Sequence, residues 1–521
     1  MDEEAHARGP TREETSIQAP GEALGATVFT ETPRRAWEKE ERVRPEPLEP
    51  ASEEAQTYSS VVPIIIGSAL LMQTLDSTVV MNALPVMAVS LHESPIRLDM
   101  TITVYLLASA ICLPLSGWAA DRFGAKKLFL IAIAAFAAAC ACCGFAQNLT
   151  ELLVFRALQG AAGAMMGPVG RLVLLRSTPK HNLVQAMSVV TIPSLLGPVI
   201  GPVIGGAIVT YVSWRWIFFL NLPVAALGLF MVSRFIHNVK SGVTTKLDWQ
   251  GLILTGVGMA GIVYGFENLG RGPMPPWAIA AMMGGGAVCL ALYWRHARRI
   301  DHPIIDLGLF KVRTFTAATV GGAFMRLGMG ASPFILVLLL QVAFGLTPLE
   351  SGLMTFSSAA AALVMKTCAP PILARFGFKP TLSVNAFIVA IAFAAYSLFR
   401  PGTPHWVIYA VLLFGGFFRS LQFTSLNGLA FADIDNAQMS RASTMSTMGQ
   451  QLSQSIGIGV AASFLHFLLR MSGQTHVSAP IIAPVYWAIA AISLISLFFY
   501  LRLPADAGEE LHDRRPRRGT A

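Results

Sequence analysis

Fourteen mostly apolar runs, each near the ~20 residues needed to cross a bilayer, recur along the chain between short polar segments. They cover residues 61–89, 100–120, 127–146, 151–175, 184–210, 216–233, 250–266, 277–294, 315–344, 351–373, 381–399, 406–430, 444–469 and 481–501. A helix rising ~1.5 Å per residue spans the hydrocarbon with such a run. The pattern predicts an all-α integral membrane protein with 14 transmembrane helices. Runs seven and eight are the shortest, so a twelve-span arrangement with those two lying differently also fits.

The polar segments give the chain a direction. Loops after even-numbered runs carry 16 Lys and Arg, and loops after odd-numbered runs carry five. The positive-inside rule then places both termini in the cytoplasm, and Arg514, Arg515, Arg517 and Arg518 agree with that side. The implied location is a cell membrane, of the bacterial inner-membrane kind. Composition excludes an ordinary soluble domain: 54% of residues are hydrophobic, 13% are charged, and mean hydropathy is +0.57.

Residues 1–58 stand apart, with 14 acidic and seven basic side chains, many prolines and no apolar periodicity. They lack a basic segment leading into an apolar one, so the expectation is a disordered cytoplasmic tail and no cleaved signal. Residues 502–521 form a second cytoplasmic tail. The net charge of +8 reflects loops beside an anionic leaflet and does not call for a nucleic-acid partner. All six cysteines lie inside apolar runs, where thiols pack as small hydrophobes, and no disulfide framework is implied.

One internal repeat bears on architecture. Asp121-Arg122-Phe123-Gly124-Ala125-Lys126 after run two is similar to Ala374-Arg375-Phe376-Gly377-Phe378-Lys379 after run ten, 253 residues later. Residues 61–233 and 315–501 then read as duplicated six-helix halves, with two additional helices, 250–294, between them.

Four motifs carry a family resemblance. Gly117-Trp-Ala-Ala-Asp121-Arg122-Phe123-Gly124-Ala125-Lys126-Lys127 resembles the signature loop between spans two and three of the major facilitator superfamily. There Gly117 would permit close helix approach, Gly124 a tight turn, and Asp121 a contact with a helix N-terminus, as a latch made in one conformation only. A loop that is merely positive-inside leaves the same residues.

Gly197-Pro198-Val-Ile-Gly201-Pro202-Val-Ile-Gly205-Gly206 resembles the antiporter motif of that superfamily's exporters. Its prolines bend a helix and its glycines offer a smooth face to a partner. Helix packing unconnected with transport direction fits it too. Leu75-Asp76-Ser77-Thr78-Val79-Val80-Met81-Asn82-Ala83-Leu84-Pro85 and Arg156-Ala157-Leu158-Gln159-Gly160 resemble the drug:proton antiporter branch of EmrB/QacA type. The resemblance implies the major facilitator fold, alternating access, and proton coupling through Asp76 and Arg156.

Charge inside the runs marks where function should be sought. A charge at the bilayer centre costs ~2.5–3.5 kcal/mol on insertion scales, so such residues face a bundle interior or a watery cavity. Apart from Lys127 and Glu151, which open their runs, the set is one acid, Asp76, against Arg156, Arg171, Arg326, Lys366 and Arg419. Applying the repeat offset puts Asp76 opposite Met329, one turn from Arg326. An Asp76–Arg326 pair across the halves is therefore expected, whether for coupling or as a structural ion pair. Lys366 would face the cytoplasmic half of a cavity, where it can bind an anion, give up its proton, or snorkel to the inner surface. Arg171, in the last turn of run four, is placed to snorkel.

Arg326, Lys366 and Arg419, with Gln341, Gln422 and Asn427, form the expected substrate cavity, and Gln450, Gln451 and Gln454 join them. Interhelical hydrogen bonding explains these amides equally well. His466 is a candidate proton relay or a packed, satisfied side chain.

The expected activity is proton-coupled export of small molecules by a monomer, with substrate, protons and lipid as its partners. The excess of cations points to an anionic or zwitterionic substrate such as a carboxylate, with potential-driven export as the alternative. A bound anion and a proton attract each other, which is the wrong sign for antiport without steric exclusion. A membrane sensor or scaffold without flux is the reading from another class. No P-loop, metal-ligand cluster or nucleophile elbow suggests an enzyme or a cofactor.

Overall fold

The computed structural model describes residues 61–178, 182–236, 247–269, 274–300, 303–435, 438–474, 476–504 and 507. The expected tail at residues 1–58 and nearly all of the tail at 502–521 lie outside the described residues.

The described chain is helical throughout its apolar runs. Span one is α1 (Val61–Ser90). Span two is broken into α2 (Met100–Cys112) and α3 (Leu115–Phe123), which meet at 55°. Pro114 stands at the break, where its missing N–H removes a rung of the helix. Spans three to five are α4 (Ala125–Phe145), α5 (Leu149–Ser177) and α6 (Leu183–Tyr211). Span six joins α7 (Trp216–Phe219) to α8 (Asn221–Phe235).

The inserted pair is α9 (Trp249–Asn268) and α10 (Pro276–Ala297). Span nine runs through α11 (Arg313–Thr316), a π-helical turn at Ala317–Gly321, α12 (Gly322–Val337) and a second π-helical turn at Leu338–Ala343. Spans ten to fourteen are α13 (Pro348–Phe376), α14 (Phe378–Tyr396), α15 (His405–Leu429), α16 (Met439–Ser472) and α17 (Ala479–Leu501). Among the described residues thirteen of these spans are unbroken stretches long and apolar enough to cross a membrane, and the bent second span makes fourteen. At 20 and 22 residues the inserted helices are long enough to cross as well.

Packing repeats along the chain. In the first six spans α1 lies on α5, α6 and α8, α2 on α5, and α4 on α5 and α8. In the last six, α12 lies on α16 and α17, the π-helical turn before it on α15, α13 on α15, and α14 on α15 and α17. The second set is the first moved on by eight spans. The repeated loop shows the same correspondence in its backbone: Gly124 has φ 89° and Gly377 has φ 75°, conformations that a side chain resists. Each glycine ends one helix and starts the next without a connecting loop.

The two sets of six meet along α6 with α13 and along α2 with α16. The inserted helices pair tightly, because Gly258 and Gly261 of α9 face Gly286 of α10. Their loop ends are tied by Asp248, which caps α9 through Gly251 N at 2.7 Å and meets His296 Nε2 at 2.8 Å. The pair docks through α9 against α2 and α16, beside one of the two seams.

Candidate functional site

The densest buried polar cluster surrounds Asp76, at the middle of α1. Arg156 Nη1 donates to Asp76 Oδ2 at 2.7 Å, with Asp76 1% and Arg156 0% exposed. Gln159, one turn after Arg156 on α5, donates through Nε2 to Asp76 Oδ1 at 2.9 Å, and its own Oε1 accepts from Arg156 Nη1 at 2.6 Å. Asn221 Nδ2 of α8 reaches Asp76 Oδ1 at 3.4 Å. One carboxylate thereby connects spans one, four and six.

The guanidinium is held from span two as well. Arg156 Nε donates to Thr101 O at 3.2 Å, and its carbon sits 4.4 Å from the Tyr105 ring centroid, a cation–π distance. Gly160 explains how Tyr105 comes so near: any Cβ there would run into the Tyr105 carbonyl. Arg156 Nη2 is buried without a hydrogen-bond partner among the described residues. A charge held this tightly by one carboxylate responds strongly to that carboxylate's proton.

The residues beside Asp76 open onto a second feature. Ser77, Thr78, Met81 and Asn82 of α1 line a cavity between the two sets of six spans, with about 460 Å³ of space for water. Its other walls include Leu106, Leu195, Pro198 and Pro202 on one side and Met329, Lys366, Arg419, Phe423 and Gln454 on the other. Arg419 Nη2 donates to Ser358 Oγ at 3.1 Å, and Lys366 is exposed.

At its outer end, as the loop charges assign it, the cavity is closed by Asn82. Its Nδ2 donates to Pro202 O at 3.1 Å and to Pro348 O at 2.8 Å. Gln341 Nε2 donates back to Asn82 O at 2.9 Å and to Asn82 Oδ1 at 2.7 Å. Gly206 and Gly352 bring α6 and α13 together beside it, each against backbone of the other helix.

The antiporter-motif glycines have a partner. A Cβ on Gly197 or Gly201 would collide with Thr74 or Thr78, and one on Gly205 would stand 2.7 Å from Val79 Cγ1. Span five therefore lies directly on the stretch of span one that carries Asp76, with Pro198 and Pro202 turned to the cavity.

Several expectations need correction. Arg326 does not meet Asp76. It is fully buried within the last six spans, donating from Nη1 to Ala318 O at 2.9 Å and from Nη2 to Asn427 Oδ1 at 3.3 Å. Side chains on a helix lean toward its N-terminus, so Arg326 reaches back along its own span to the π-helical turn. It and Asn427 are absent from the cavity wall, as is Gln422, which accepts from Asn385 Nδ2 at 2.7 Å. Gln341 belongs to the outer closure, while Lys366, Arg419 and Gln454 do line the cavity.

Gly117 is the second correction: a Cβ there meets nothing within 4 Å, so it makes no close helix contact in this conformation. With Asp121 it lines a pocket of about 300 Å³ on the side that the loop charges assign to the cytoplasm, alongside Asp306, Arg441 and Thr444. Arg122 lies 6.0 Å from the Trp118 ring centroid, and Lys126 Nζ donates to Ser233 O of α8 at 2.8 Å. Arg171 is exposed, with Nη1 3.5 Å from Ser443 Oγ.

Third, Asp76 is not the only buried acid. Asp99, 0% exposed, begins span two, and Glu267, 3% exposed, lies near the end of α9 beside Gly459 of α16. The apolar runs stop one residue short of each, so neither falls inside a run. Gln159 is a site residue that no charge marks in the sequence, although its spacing of three from Arg156 places both on one helix face.

Comparison with known proteins identifies the family. The Major Facilitator Superfamily pattern matches residues 66–458 and again 318–519. The chain belongs to this superfamily. A provisionally named multidrug resistance protein, MdtD, from Pectobacterium carotovorum subsp. carotovorum is 35% identical over 447 residues, covering 85% of this chain and 95% of the relative. The MdtD of Escherichia coli O6:H1 is 34% identical over 463 residues, covering 87% and 97%.

Among solved structures, a D-xylose–proton symporter aligns with a TM-score of 0.61 at 14% identity, over 86% of this chain and 98% of its own. A POT family transporter bound to a thioalcohol-conjugated peptide gives 0.62 at 15%, over 84% and 95%. These two likenesses concern the fold. This major facilitator is thus a multi-pass membrane transporter of fourteen spans.

Proposed function

We propose that this major facilitator exports small, drug-like molecules by alternating access, with Asp76 as the proton acceptor and Arg156 as its counter-ion. The MdtD relatives are named for multidrug resistance, which supports efflux as the direction. The loop charges support cytoplasmic termini, and with them an inner membrane in which protons enter from outside.

The observation that carries the proton reading is the Asp76–Arg156–Gln159 cluster. Protonating Asp76 leaves Arg156 as a buried, unbalanced charge, and removing one partner of such a pair typically destabilises by ~3–5 kcal/mol. The protonated protein must therefore relax by moving spans one and four relative to each other. Asn82 lies six residues after Asp76 on the same helix, and it holds the outer closure. A shift of α1 that relieves Arg156 also pulls on the seal, so proton binding and gating share one helix.

The test uses the purified chain in proteoliposomes with the pH gradient and the membrane potential imposed separately. Efflux driven by the pH gradient should disappear in Asp76→Asn, while exchange of substrate at equal pH continues. Unchanged gradient-driven efflux in Asp76→Asn would remove Asp76 from the coupling role. Absence of substrate-dependent flux in the wild type under every gradient would favour a sensor or scaffold.

A further inference from the structure

The charges in the cavity wall are all of one sign. Two cationic side chains, Lys366 and Arg419, line it, and none of its lining residues is acidic. Asp76, the nearby acid on α1, is turned into the first six spans and held by Arg156 and Gln159. Among the described residues Arg419 has no carboxylate partner, its side-chain hydrogen bond going to the Ser358 hydroxyl. Low-dielectric walls focus this charge onto whatever enters the cavity.

The rest of the wall is of another character. Met81, Leu106, Leu195, Met329 and Phe423 make most of it aliphatic, with one aromatic ring. Ammonium ligands are commonly held by several aromatic faces or by carboxylates, and neither is present in this wall. A volume of about 460 Å³ lies in the range that takes a drug-sized organic molecule.

Resting on the reading of this cavity as the transport site, we propose that the substrate is an amphipathic organic anion with one acidic head. The head, a carboxylate or sulfonate, is held by Arg419 and Lys366. The apolar body lies along Met81, Leu106, Leu195 and Phe423. A polyanion is disfavoured because its further charges would be desolvated against aliphatic walls without partners. Arg419 and Lys366 sit past the middle of helices that start at the outer side, so the head binds nearer the cytoplasm while Asn82 closes the other end.

The test is a matched pair of fluorescent probes, a dansyl carboxylate and a dansyl quaternary ammonium on the same undecyl spacer. Both are titrated into the purified full chain in nanodiscs. The carboxylate should bind at least ~tenfold more tightly than the ammonium, and Lys366→Gln with Arg419→Gln should abolish that preference. Lys366→Arg with Arg419→Lys should keep it, which separates charge from folding damage. Equal or tighter binding of the ammonium, or an undiminished preference in the doubly neutral variant, would overturn the proposal.

Flux of the same probes distinguishes this failure from failure of proton-coupled efflux. Gradient-driven export of the ammonium without carboxylate binding would overturn the anionic class and leave the exporter intact. Carboxylate selectivity with flux that ignores the pH gradient would support the anionic class and remove proton coupling.

Discussion

In the first half, span one carries Asp76 and span four answers with Arg156 at 2.7 Å; in the second, span nine carries Arg326 and span twelve answers with Asn427 at 3.3 Å. The helix pairing is the same in both halves, and the chemistry differs. A carboxylate beside a guanidinium can take up a proton and lose its partner. An arginine beside an amide cannot, because neither group titrates in the working range of a cell. The duplicated scaffold has thus been divided: the first half holds the titratable cluster, and the second supplies the cavity's cations, Lys366 and Arg419.

The largest effect should come from unbalancing the first cluster. Arg156→Gln leaves Asp76 buried without its cation and is expected to destabilise the protein by ~3–5 kcal/mol, seen as a lower denaturation midpoint in mixed micelles. Adding Asp76→Asn should recover part of that loss, because the two groups are in contact and their effects do not add. A double variant as unstable as the sum of its parts would mean that the pair is not the unit described.

Next comes the closure that joins the halves. Asn82→Ala leaves Pro202 O and Pro348 O without the amide that joins them, at ~1–3 kcal/mol for each buried group, and leaves Gln341 Nε2 only its bond to the backbone oxygen of residue 82. The outward-open form should rise in population by about tenfold or more. Reaction of an impermeant thiol reagent with Ser77→Cys, in a background without the six cysteines, measures it. A rate no faster than with Asn82 intact would place the seal elsewhere.

The repeated glycines test where the halves are alike. Gly124→Ala and Gly377→Ala each put a Cβ where φ is positive and ψ is extended, a region essentially reserved for glycine. Each should lower stability by ~1–3 kcal/mol, and the two losses should be similar. A large difference between them would show that only one turn is under strain.

Much of this was legible in the sequence. Bilayer thickness dictates the run length, so all fourteen spans could be read from apolar stretches, and the repeat of Gly124 at Gly377 survives as a shared backbone conformation. Facing was harder to read, because a helix in lipid can be apolar all round. The run that holds Arg326 has no polar stripe to show that this residue turns away from the cavity while Met329 turns toward it. Asp99 and Glu267 were lost at run edges, where a polar residue reads as the start of a loop. The Asp76–Arg326 expectation failed because the offset aligns equivalent positions in two halves, and equivalent positions need not touch.

The smallest expected effect is the most direct comparison of the halves. Arg326→Met removes a buried guanidinium that has no ion-pair partner among the described residues, along with its hydrogen bonds to Ala318 O and Asn427. Replacing a buried charge by an apolar side chain of similar length is often neutral, so the loss should stay below ~1 kcal/mol against ~3–5 for Arg156. The pH-gradient dependence of efflux should also survive, since the hydrogen bonds of Arg326 go to a backbone carbonyl and an amide oxygen, neither of which takes up a proton in the working range of a cell. If Arg326→Met instead removed that dependence, the second half would take part in coupling, and the division of chemistry between the halves would have to be redrawn around span nine.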